Sequence, residues 1–306
     1  VVLAIHSVLR EGAVDGIRFY LVPDFQKMVE TGIGNVVFGA MSQAFFTLSL
    51  GIGAMMIFGS YLDHSRSMTG EAINITILDT FVALTAGFIV IPACFSYGIE
   101  PGAGPSLVFI TLPNMFAQMT GGFLWSALFF LFLTFAALST IIAVFENIIA
   151  FDMDLFGWTR KKSVLVSAVL VMILSMPAVL GFNVLSFLQP LGEGSTIMDL
   201  EDFIVSNNLL PLGSLGYLLF CTSRNGWGWD AFIKEANSGD GLKFPAGLKA
   251  YVAWGIPALI AFIYLKGYYD KFSGQGTVTL VCWMTAAIVF LGFICWCALK
   301  KHTRRK

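Results

Sequence analysis

Seven apolar stretches, each long enough to cross a lipid bilayer, constrain the fold of this chain more than any other feature. A membrane-spanning helix needs roughly 20 mostly apolar residues, and irregular backbone cannot face lipid because its N–H and C=O groups would lack partners. The stretches lie at about 36–61, 76–98, 122–151, 163–185, 203–222, 247–267 and 277–299. We therefore predict an all-α integral membrane protein. The composition agrees, since 57% of the residues are hydrophobic and only 12% are charged.

The basic residues predict the orientation of the chain in the membrane. If the residues that follow Tyr61 lie inside, most of the 18 Lys and Arg residues lie inside too, among them the tail KKHTRRK. The opposite side receives only Arg10, Arg18, Lys27, Lys266 and Lys271. Because Lys and Arg favour the cytoplasmic side, we predict a multi-pass protein of the cell (inner) membrane with a cytoplasmic C-terminus. The tail is then an orientation anchor or a site for anionic lipids.

The start of the chain predicts a fragment. Its first residue is Val, and the opening stretch VVLAIHSVL is only half as long as a span. This stretch also lacks the basic segment and the cleavage site of a signal peptide. We therefore expect that an upstream part of the protein is missing.

The first full span contains an unusual run, FFTLSLGIGAMM, at residues 45–56. Two of its residues, Gly51 and Gly53, are glycines, and each costs about 1 kcal/mol relative to alanine in a helix interior. We predict that the helix opens here. Opened backbone at membrane depth needs partners, so it either binds an ion or a substrate, or the small residues form a packing face between helices. This stretch by itself leaves both interpretations open.

Two further stretches place oxygen atoms at membrane depth. ILDTFVALTAGF puts Asp79 in the second span, where a carboxylate is costly and usually paired or functional, unless it is solvated at the interface. LTFAALSTIIAVFENIIAF combines Ser139 and Thr140 with small neighbours, and Glu146 follows about two turns later. Oxygen ligands suit a hard cation such as Na⁺. The alternative for the hydroxyl groups is a hydrogen bond back to their own helix.

The connection at residues 97–121, YGIEPGAGPSLVFITLPNMFAQMTG, differs from the spans on either side of it. It is too rich in Gly and Pro to be a span and too apolar to be an ordinary solvated loop. We predict a re-entrant or capping loop that packs on the protein.

Together these motifs resemble the neurotransmitter:sodium symporter family, in particular its prokaryotic amino-acid transporters. The resemblance rests on FFTLSLGIGAMMIFGSY, DTFVALTAGFIVIPA, GPSLVFITLP and ALST in this order, and it covers essentially the whole chain. It implies an inverted-repeat, broken-helix transporter fold that is incomplete here, with seven full transmembrane helices and the end of an eighth. The chain would run from the end of the family's fifth helix to its twelfth, and the missing N-terminal helices would be its partner.

On this resemblance, residues 1–306 form a fragment of a single transporter domain. Residues 1–34 would be the end of a helix and an extracellular loop, and residues 35–98 the broken helix and the helix after it. Residues 99–121 would form the extracellular lid loop, and residues 122–306 five more helices and a basic cytoplasmic tail.

The resemblance also implies a substrate site for an amino acid. Phe46, Ser49 and Ile52 would face the substrate, with Phe46 as a lid, and Thr140 and Val144 would line the same pocket. Many relatives have an aromatic residue or Met where this chain has Ile52. Because Ile is smaller than Phe, we predict a substrate with a medium or large apolar or aromatic side chain.

Two sodium sites follow from the same resemblance. Thr47 and Asp79 match ligands of the first ion, the one closest to the substrate carboxylate. Ala136 through its carbonyl, and Ser139 and Thr140 through their hydroxyls, match ligands of the second. We therefore predict sodium-coupled symport by alternating access.

The resemblance further predicts transport without chloride. Animal members have a neutral Asn where Asp79 stands, and they help bind chloride with a Ser where this chain has Ala83. A fixed carboxylate near the sodium ion supplies the negative charge that chloride otherwise brings.

Gate residues are implied as well. Asp202, in DLEDFIVSNN, matches the carboxylate of the extracellular gate, and Tyr61 and Asp154 match the intracellular gate. The Arg partners of Asp202 and Asp154 would belong to the missing N-terminal segment. Residues 102–118 would form the lid.

Other classes of function are weaker alternatives. A channel is one, since a Gly-broken helix and an intramembrane acid can line a pore, and a fragment or a membrane protein without transport activity is another. An enzyme is not predicted, because His6, His64 and His302 lie beside no plausible Ser or Cys nucleophile and no H-E-x-x-H motif occurs. The five cysteines lack C-x-x-C spacing. We expect Na⁺ as a co-transported ion, no organic cofactor and no nucleic acid partner.

Overall fold

A computed structural model describes residues 2–9, 12–96, 98 and 107–300. Parts of the predicted lid loop and of the basic tail, residues 99–106 and 301–306, lie outside the described residues. Within the described ranges there are no β-strands, which agrees with the predicted all-α class. The α-helices are α1 Val2–Val8, α2 Ala13–Leu21, α3 Phe25–Thr31, α4 Ile33–Thr47, α5 Ala54–Ser60, α6 Met68–Ser96, α7 Leu112–Ala117, α8 Gly122–Phe156, α9 Arg160–Gly181, α10 Ile197–Ile204, α11 Leu210–Thr222, α12 Trp229–Ala236, α13 Ile256–Phe272 and α14 Thr277–Leu299.

Shorter helical turns interrupt or extend these helices. In the part of the chain that the structure describes, three are π-helices, Leu107–Thr111, Val205–Leu209 and Tyr251–Gly255, and two are 3₁₀-helices, Ala246–Leu248 and Ser273–Gln275. The second π-helix joins α10 to α11 without a break, so one continuous segment is wide in its middle. π-helices are often found at functional sites.

Six helical segments of the described chain are long and apolar enough to cross a membrane. They are Met68–Ser96, Gly122–Phe156, Arg160–Gly181, Ile197–Thr222, Ala246–Gln275 and Thr277–Leu299. These segments correspond to six of the seven predicted spans, which confirms the membrane class. The remaining span, predicted at 36–61, is divided between α4 and α5.

The chain divides into two compact units, each described by itself. The first comprises residues 1–36 and 74–143, and the second comprises residues 37–73 and 144–306. In the first unit α2 packs on α6, because Gly16 has no side chain and a Cβ there would lie 2.7 Å from the Cα of Pro92. The core of this unit consists of Ala93, Leu112, Met115, Phe116 and Met119. The described part of the predicted lid loop is therefore helical and packed, not solvated.

The second unit has an aromatic core between α10, α13 and α14. The rings of Phe272 and Trp283 stack with their centroids 4.7 Å apart. Asn208, in the π-helix, accepts hydrogen bonds from the hydroxyl groups of Tyr268 at 2.6 Å and Tyr264 at 3.3 Å. The buried members of this core are Leu191, Phe203, Tyr264, Tyr268, Phe272 and Ala287. The hydrogen bonds fasten the π-helix to α13.

A loop of the second unit, residues 237–242, holds the linker that follows α5. The backbone N–H of Asp240 donates to the carbonyl of Ser65 at 2.9 Å, and the hydroxyl of Ser67 donates to the carbonyl of Leu242. Gly239 leaves room for this contact, since a Cβ on it would lie 2.6 Å from the carbonyl oxygen of Arg66. The chain is therefore fixed where it leaves α5.

Candidate functional site

The break predicted in the first span is present in the structure. α4 ends at Thr47 and α5 begins at Ala54. Three residues between them have left-handed backbone, with φ of 49° at Ser49, 86° at Gly51 and 84° at Gly53. The predicted opening of the helix is thus confirmed.

α4 ends in a Schellman motif centred on Ser49. The N–H of Leu50 donates to the carbonyl of Phe45 at 3.1 Å, and the N–H of Ser49 donates to the carbonyl of Phe46 at 3.0 Å. The left-handed position of this motif is usually occupied by Gly. A Ser there costs about 1–2 kcal/mol of backbone strain, and strained backbone often marks a functional site. Ser49 was predicted to face the substrate, and the structure places it at the strained turn.

Gly51 lies against the backbone at the start of α11. A Cβ on Gly51 would contact the carbonyl oxygen of Leu210 and would lie 2.6 Å from the backbone nitrogen of Ser214. A Cβ on Gly213 would in turn contact the carbonyl oxygen of Gly51. Two glycines therefore face each other, and the opened segment is packed backbone to backbone.

Asn147 of α8 satisfies one of the carbonyl groups that the break sets free. Its side-chain Nδ2 donates to the carbonyl oxygen of Ile52 at 2.8 Å. A Cβ on Gly53 would lie 3.0 Å from the hydroxyl of Tyr217 and 3.2 Å from Oδ1 of Asn147. The site around the break is therefore built from α5, α8 and α11.

A cavity of about 530 Å³ opens beside the break within the second unit. Small-molecule sites usually have volumes of about 300–1,000 Å³ and few polar groups. This cavity is mostly apolar, and it contains Ile52, which was predicted to face the substrate, and Asp154, which was predicted as part of the intracellular gate. The lining residues are Ile52, Met56, Ile57, Asn147, Ile148, Phe151, Asp154, Leu155 and Tyr217. The size and lining suit a small molecule with an apolar side chain.

Tyr61, predicted as part of a gate, belongs to a hydrogen-bonded group that sequence reasoning missed. Its hydroxyl donates to Oε1 of Glu146 at 2.9 Å. Arg160, at the start of α9, binds the same carboxylate with both of its terminal nitrogens, at 2.9 and 2.6 Å. A Tyr at a helix end and a Glu inside a span were the available signals. Their pairing joins residues 85 positions apart, and no spacing rule predicts such a pair.

Asp154 lies about two turns after Glu146 on α8, where it lines the cavity. It is a surface residue of the second unit. The structure therefore brings Tyr61 together with Glu146 and Arg160, whereas the predicted partner of Asp154 is an Arg outside this chain.

The predicted ligands of the second sodium ion lie together on α8, in the part that belongs to the first unit. Oγ of Ser139 donates to the carbonyl of Ala136 at 2.8 Å, and Oγ1 of Thr140 donates to the same carbonyl at 3.1 Å. This is the local bonding that the sequence left as an alternative. Each hydroxyl oxygen keeps lone pairs that can bind a cation, so the arrangement is compatible with both interpretations.

Asp79 lies deeper in its helix than the hydropathy pattern indicated. α6 begins at Met68, eight residues before the predicted start, so Asp79 lies eleven residues inside it. At 1.5 Å per residue this is about 16 Å along the helix axis. Thr47, its predicted partner in the first sodium site, is the last residue of α4 in the second unit.

The remaining predicted residues lie on surfaces. Phe46 is 53% exposed and Val144 is 39% exposed. Asp202, on α10, accepts a hydrogen bond from the hydroxyl of Ser206 at 2.8 Å. Since Phe203 next to it is buried in the aromatic core, the position of Asp202 on its helix is fixed.

Comparison with known proteins identifies the family. The sequence model described as "Sodium:neurotransmitter symporter family" matches residues 1–200 of the 306. An uncharacterized sodium-dependent transporter of Bacillus subtilis, YhdH, is 36% identical over 72% of this chain and 48% of its own. An uncharacterized sodium-dependent transporter of Haemophilus influenzae is 32% identical over 87% of this chain and 57% of its own.

A solved structure is similar as well. The crystal structure of MhsT in complex with L-phenylalanine has a TM-score of 0.74 and 33% sequence identity, and the match covers 87% of this chain and 59% of that one. The chain thus spans about half to three fifths of the length of these relatives. Since the family's sequence model matches well over half of the chain, the chain belongs to the sodium:neurotransmitter symporter family.

Proposed function

We propose that this chain forms part of a sodium-coupled amino-acid symporter that works by alternating access. The observation that carries the proposal is the break between α4 and α5, whose backbone is held open by contacts with Gly213 and Asn147. Freed backbone groups at membrane depth are how discontinuous helices bind ions and substrates in transporters. The family supports sodium coupling, since the two bacterial relatives are named sodium-dependent transporters.

The proposed substrate is an amino acid with a medium or large apolar or aromatic side chain. Ile52 lines a cavity of about 530 Å³ whose other walls are largely apolar, such as Met56 and Phe151. The similar crystal structure of MhsT is a complex with L-phenylalanine. Phe46, Ser49, Thr140 and Val144 are proposed as further substrate-binding residues on the family resemblance alone.

The proposed sodium ligands are those implied by the sequence. Asp79 and Thr47 serve the first ion, and Ala136, Ser139 and Thr140 serve the second. The three oxygens of the second set already lie within one turn of α8. The binding of sodium and the binding of the amino acid are coupled if both stabilise the same conformation, because each then raises the protein's affinity for the other by the same factor.

We further propose that transport does not need chloride. The carboxylate of Asp79 lies about three turns inside α6, where it can balance a sodium charge that chloride would otherwise balance.

The proposed inner gate is the group formed by Tyr61, Glu146 and Arg160, with Asp154 beside it and Asp202 at the outer gate. Arg160 and its neighbours Lys161 and Lys162 then lie on the cytoplasmic side. The C-terminus is proposed to lie on the same side. Helices N-terminal to this chain are the proposed partners that complete the gates and both sodium sites.

Uptake into proteoliposomes tests the proposal. The complete gene product that carries this chain is reconstituted, and uptake of labelled phenylalanine and leucine is measured with an inward Na⁺ gradient and with K⁺ in its place. We expect saturable uptake that requires Na⁺, that unlabelled apolar amino acids inhibit, and that is unchanged when gluconate replaces chloride. A preference for glycine or charged amino acids would refute the substrate, and a current without competition would indicate a channel.

A matched pair of variants tests the second sodium site. Thr140→Val removes a proposed ligand, whereas Thr134→Val removes a hydroxyl that donates to the carbonyl of Phe130 in the same way on the same helix. We expect a higher half-saturating Na⁺ concentration for Thr140→Val alone. Equal values for the two variants would contradict the assignment.

A further inference from the structure

Two consecutive residues of α8 hold the two ends of α5. Asn147 donates to the carbonyl of Ile52, two residues before the start of α5, at 2.8 Å. Glu146 accepts from the hydroxyl of Tyr61, directly after α5, at 2.9 Å. Helical side chains lean toward the N-terminus, which allows the ring of Tyr61 to reach back along α5 to Glu146.

α5 depends on such contacts for its position. It has only seven residues, and isolated helices shorter than about 12–15 residues are marginally stable. The break interrupts the main-chain hydrogen bonding between α4 and α5 on one side, and the linker after Tyr61 follows on the other. The place of α5 is therefore set largely by what its ends bind.

The surroundings of Asn147 leave its amide one well-defined orientation. The Ile52 carbonyl accepts from Nδ2, and Oδ1 faces Gly53, where a Cβ would lie 3.2 Å away. The hydroxyl of Tyr217 lies 3.0 Å from the same Cβ position. The opposite amide orientation would direct Oδ1 at the Ile52 carbonyl, and two acceptors would then face each other.

We propose that Asn147 is a positioning residue for the substrate site, an inference that rests on the function proposed above. By holding the Ile52 carbonyl, it keeps the Ile52 side chain on the wall of the cavity that the two residues share. Without Asn147 the carbonyl needs another partner at membrane depth, so the peptide unit turns and Ile52 moves with it. Asn147 also neighbours Glu146, so a movement of α8 at this point acts on both ends of α5.

The kinetic test compares Asn147→Ala, Asn147→Gln and Asn225→Ala in the complete gene product that carries this chain. Asn225 is the matched control, because its Nδ2 also donates to a main-chain carbonyl, that of Leu299, at 2.7 Å and away from the cavity. We expect the KM for amino-acid uptake to rise about 3- to 10-fold in Asn147→Ala, the factor for one hydrogen bond, with little change in maximal rate per inserted protein. Asn147→Gln should have a KM close to that of the unmodified protein, and Asn225→Ala should leave the KM unchanged.

A labelling test does not depend on transport. Cysteine is introduced by Ile52→Cys, and its reaction with a water-soluble thiol reagent is measured with and without Asn147→Ala, after subtraction of labelling in the protein that keeps Ile52. We expect the labelling rate to change at least about threefold when Asn147 is removed.

The outcomes separate the two proposals. If the unmodified protein shows no sodium-dependent uptake, the proposed function fails, while the labelling rates still decide the role of Asn147. An unchanged KM together with an unchanged labelling rate overturns that role. The same holds if Asn147→Ala lowers only the amount of protein in the membrane. If Asn147→Ala does not insert, Asn147→Asp, which has nearly the same volume, replaces it in both measurements.

Discussion

Replacing Gly51 with Ala tests whether contact with α11, in addition to the freedom of glycine, sets the break. The φ of 86° at Gly51 costs an L-residue about 1–2 kcal/mol. A Cβ there would also lie 2.6 Å from the backbone nitrogen of Ser214, which cannot withdraw unless α11 shifts. Overpacking of this kind costs about 1–3 kcal/mol. The two costs add to about 2–5 kcal/mol, a large share of the roughly 5–15 kcal/mol that stabilises a typical folded protein.

Two other glycines supply the comparison. Gly53 has a similar φ of 84°, but the nearest atom to a Cβ on it would be the hydroxyl oxygen of Tyr217 at 3.0 Å, and not a backbone atom at 2.6 Å or less. We therefore expect Gly53→Ala to cost only about 1–2 kcal/mol. Gly59 lies inside α5 with nothing within 4 Å of its Cβ position, so Gly59→Ala should be neutral or gain up to about 1 kcal/mol.

Thermal melting of the three purified variants in detergent ranks their stabilities. One kcal/mol corresponds to about 2–4 °C for domains of a few hundred residues, so Gly51→Ala should melt at least about 4 °C below the unmodified protein. Fluorescence-detected size-exclusion chromatography after heating measures this directly. Equal melting temperatures for Gly51→Ala and Gly53→Ala would refute the role given to the contact between the break and α11.

Three further substitutions test other parts of the site. Glu146→Gln should change the melting temperature little, because Arg160 is 59% exposed. It should nevertheless speed substrate exchange across the membrane if the group of Tyr61, Glu146 and Arg160 is the inner gate, as proposed; unchanged exchange would contradict that role. Asn208→Leu should lower the free energy of unfolding by about 1–3 kcal/mol because the hydroxyl of Tyr268 loses its acceptor. Tyr268→Phe removes that hydroxyl and should therefore cost less; an equal loss of stability in the two variants would contradict this. Asp79→Asn should raise the half-saturating Na⁺ concentration and make uptake respond to chloride; identical Na⁺ dependence would reject Asp79 as a ligand.

The opening of the helix could be predicted from Gly51 and Gly53, but its precise start could not. α4 ends at a Schellman motif in which Ser49, and not a glycine, has left-handed backbone. Local preference disfavours Ser there. Two residues after Ser49, Gly51 packs against residues of α11 that lie more than 150 positions away, a contact that no local pattern predicts. Tertiary packing therefore decides a detail that local sequence does not.

The helix bounds show a second limit of sequence reasoning. Hydropathy placed the start of the second span at residue 76, whereas α6 starts at Met68. The hydropathy pattern marks the part of a helix that is apolar, but main-chain hydrogen bonds continue into polar residues such as Glu71 and Asn74. For the same reason Asp79, which lies three residues after the predicted start of the span, lies eleven residues inside its helix.

Charged partners were the least predictable feature. In the sequence, Arg160 was only one of the basic residues that predict the orientation of the chain, and Glu146 was only a polar residue about two turns after Thr140. Glu146 and Arg160 form an ion pair, and Tyr61 donates a hydrogen bond to the same carboxylate. This group forms only because the end of α5 packs against α8, and no single stretch of the sequence predicts that contact.

The π-helix between α10 and α11 affects how this chain should be aligned with its relatives. Each main-chain hydrogen bond of a π-helix encloses one residue more than that of an α-helix, and one residue corresponds to about 100° of rotation around the axis. A relative without the wide turn at Val205–Leu209 therefore needs a one-residue gap in this segment. An alignment without that gap pairs Asp202 with the neighbour of its true counterpart. Whether Asp202 or its neighbour Glu201 is matched to the proposed outer gate therefore depends on placing that gap within Val205–Leu209.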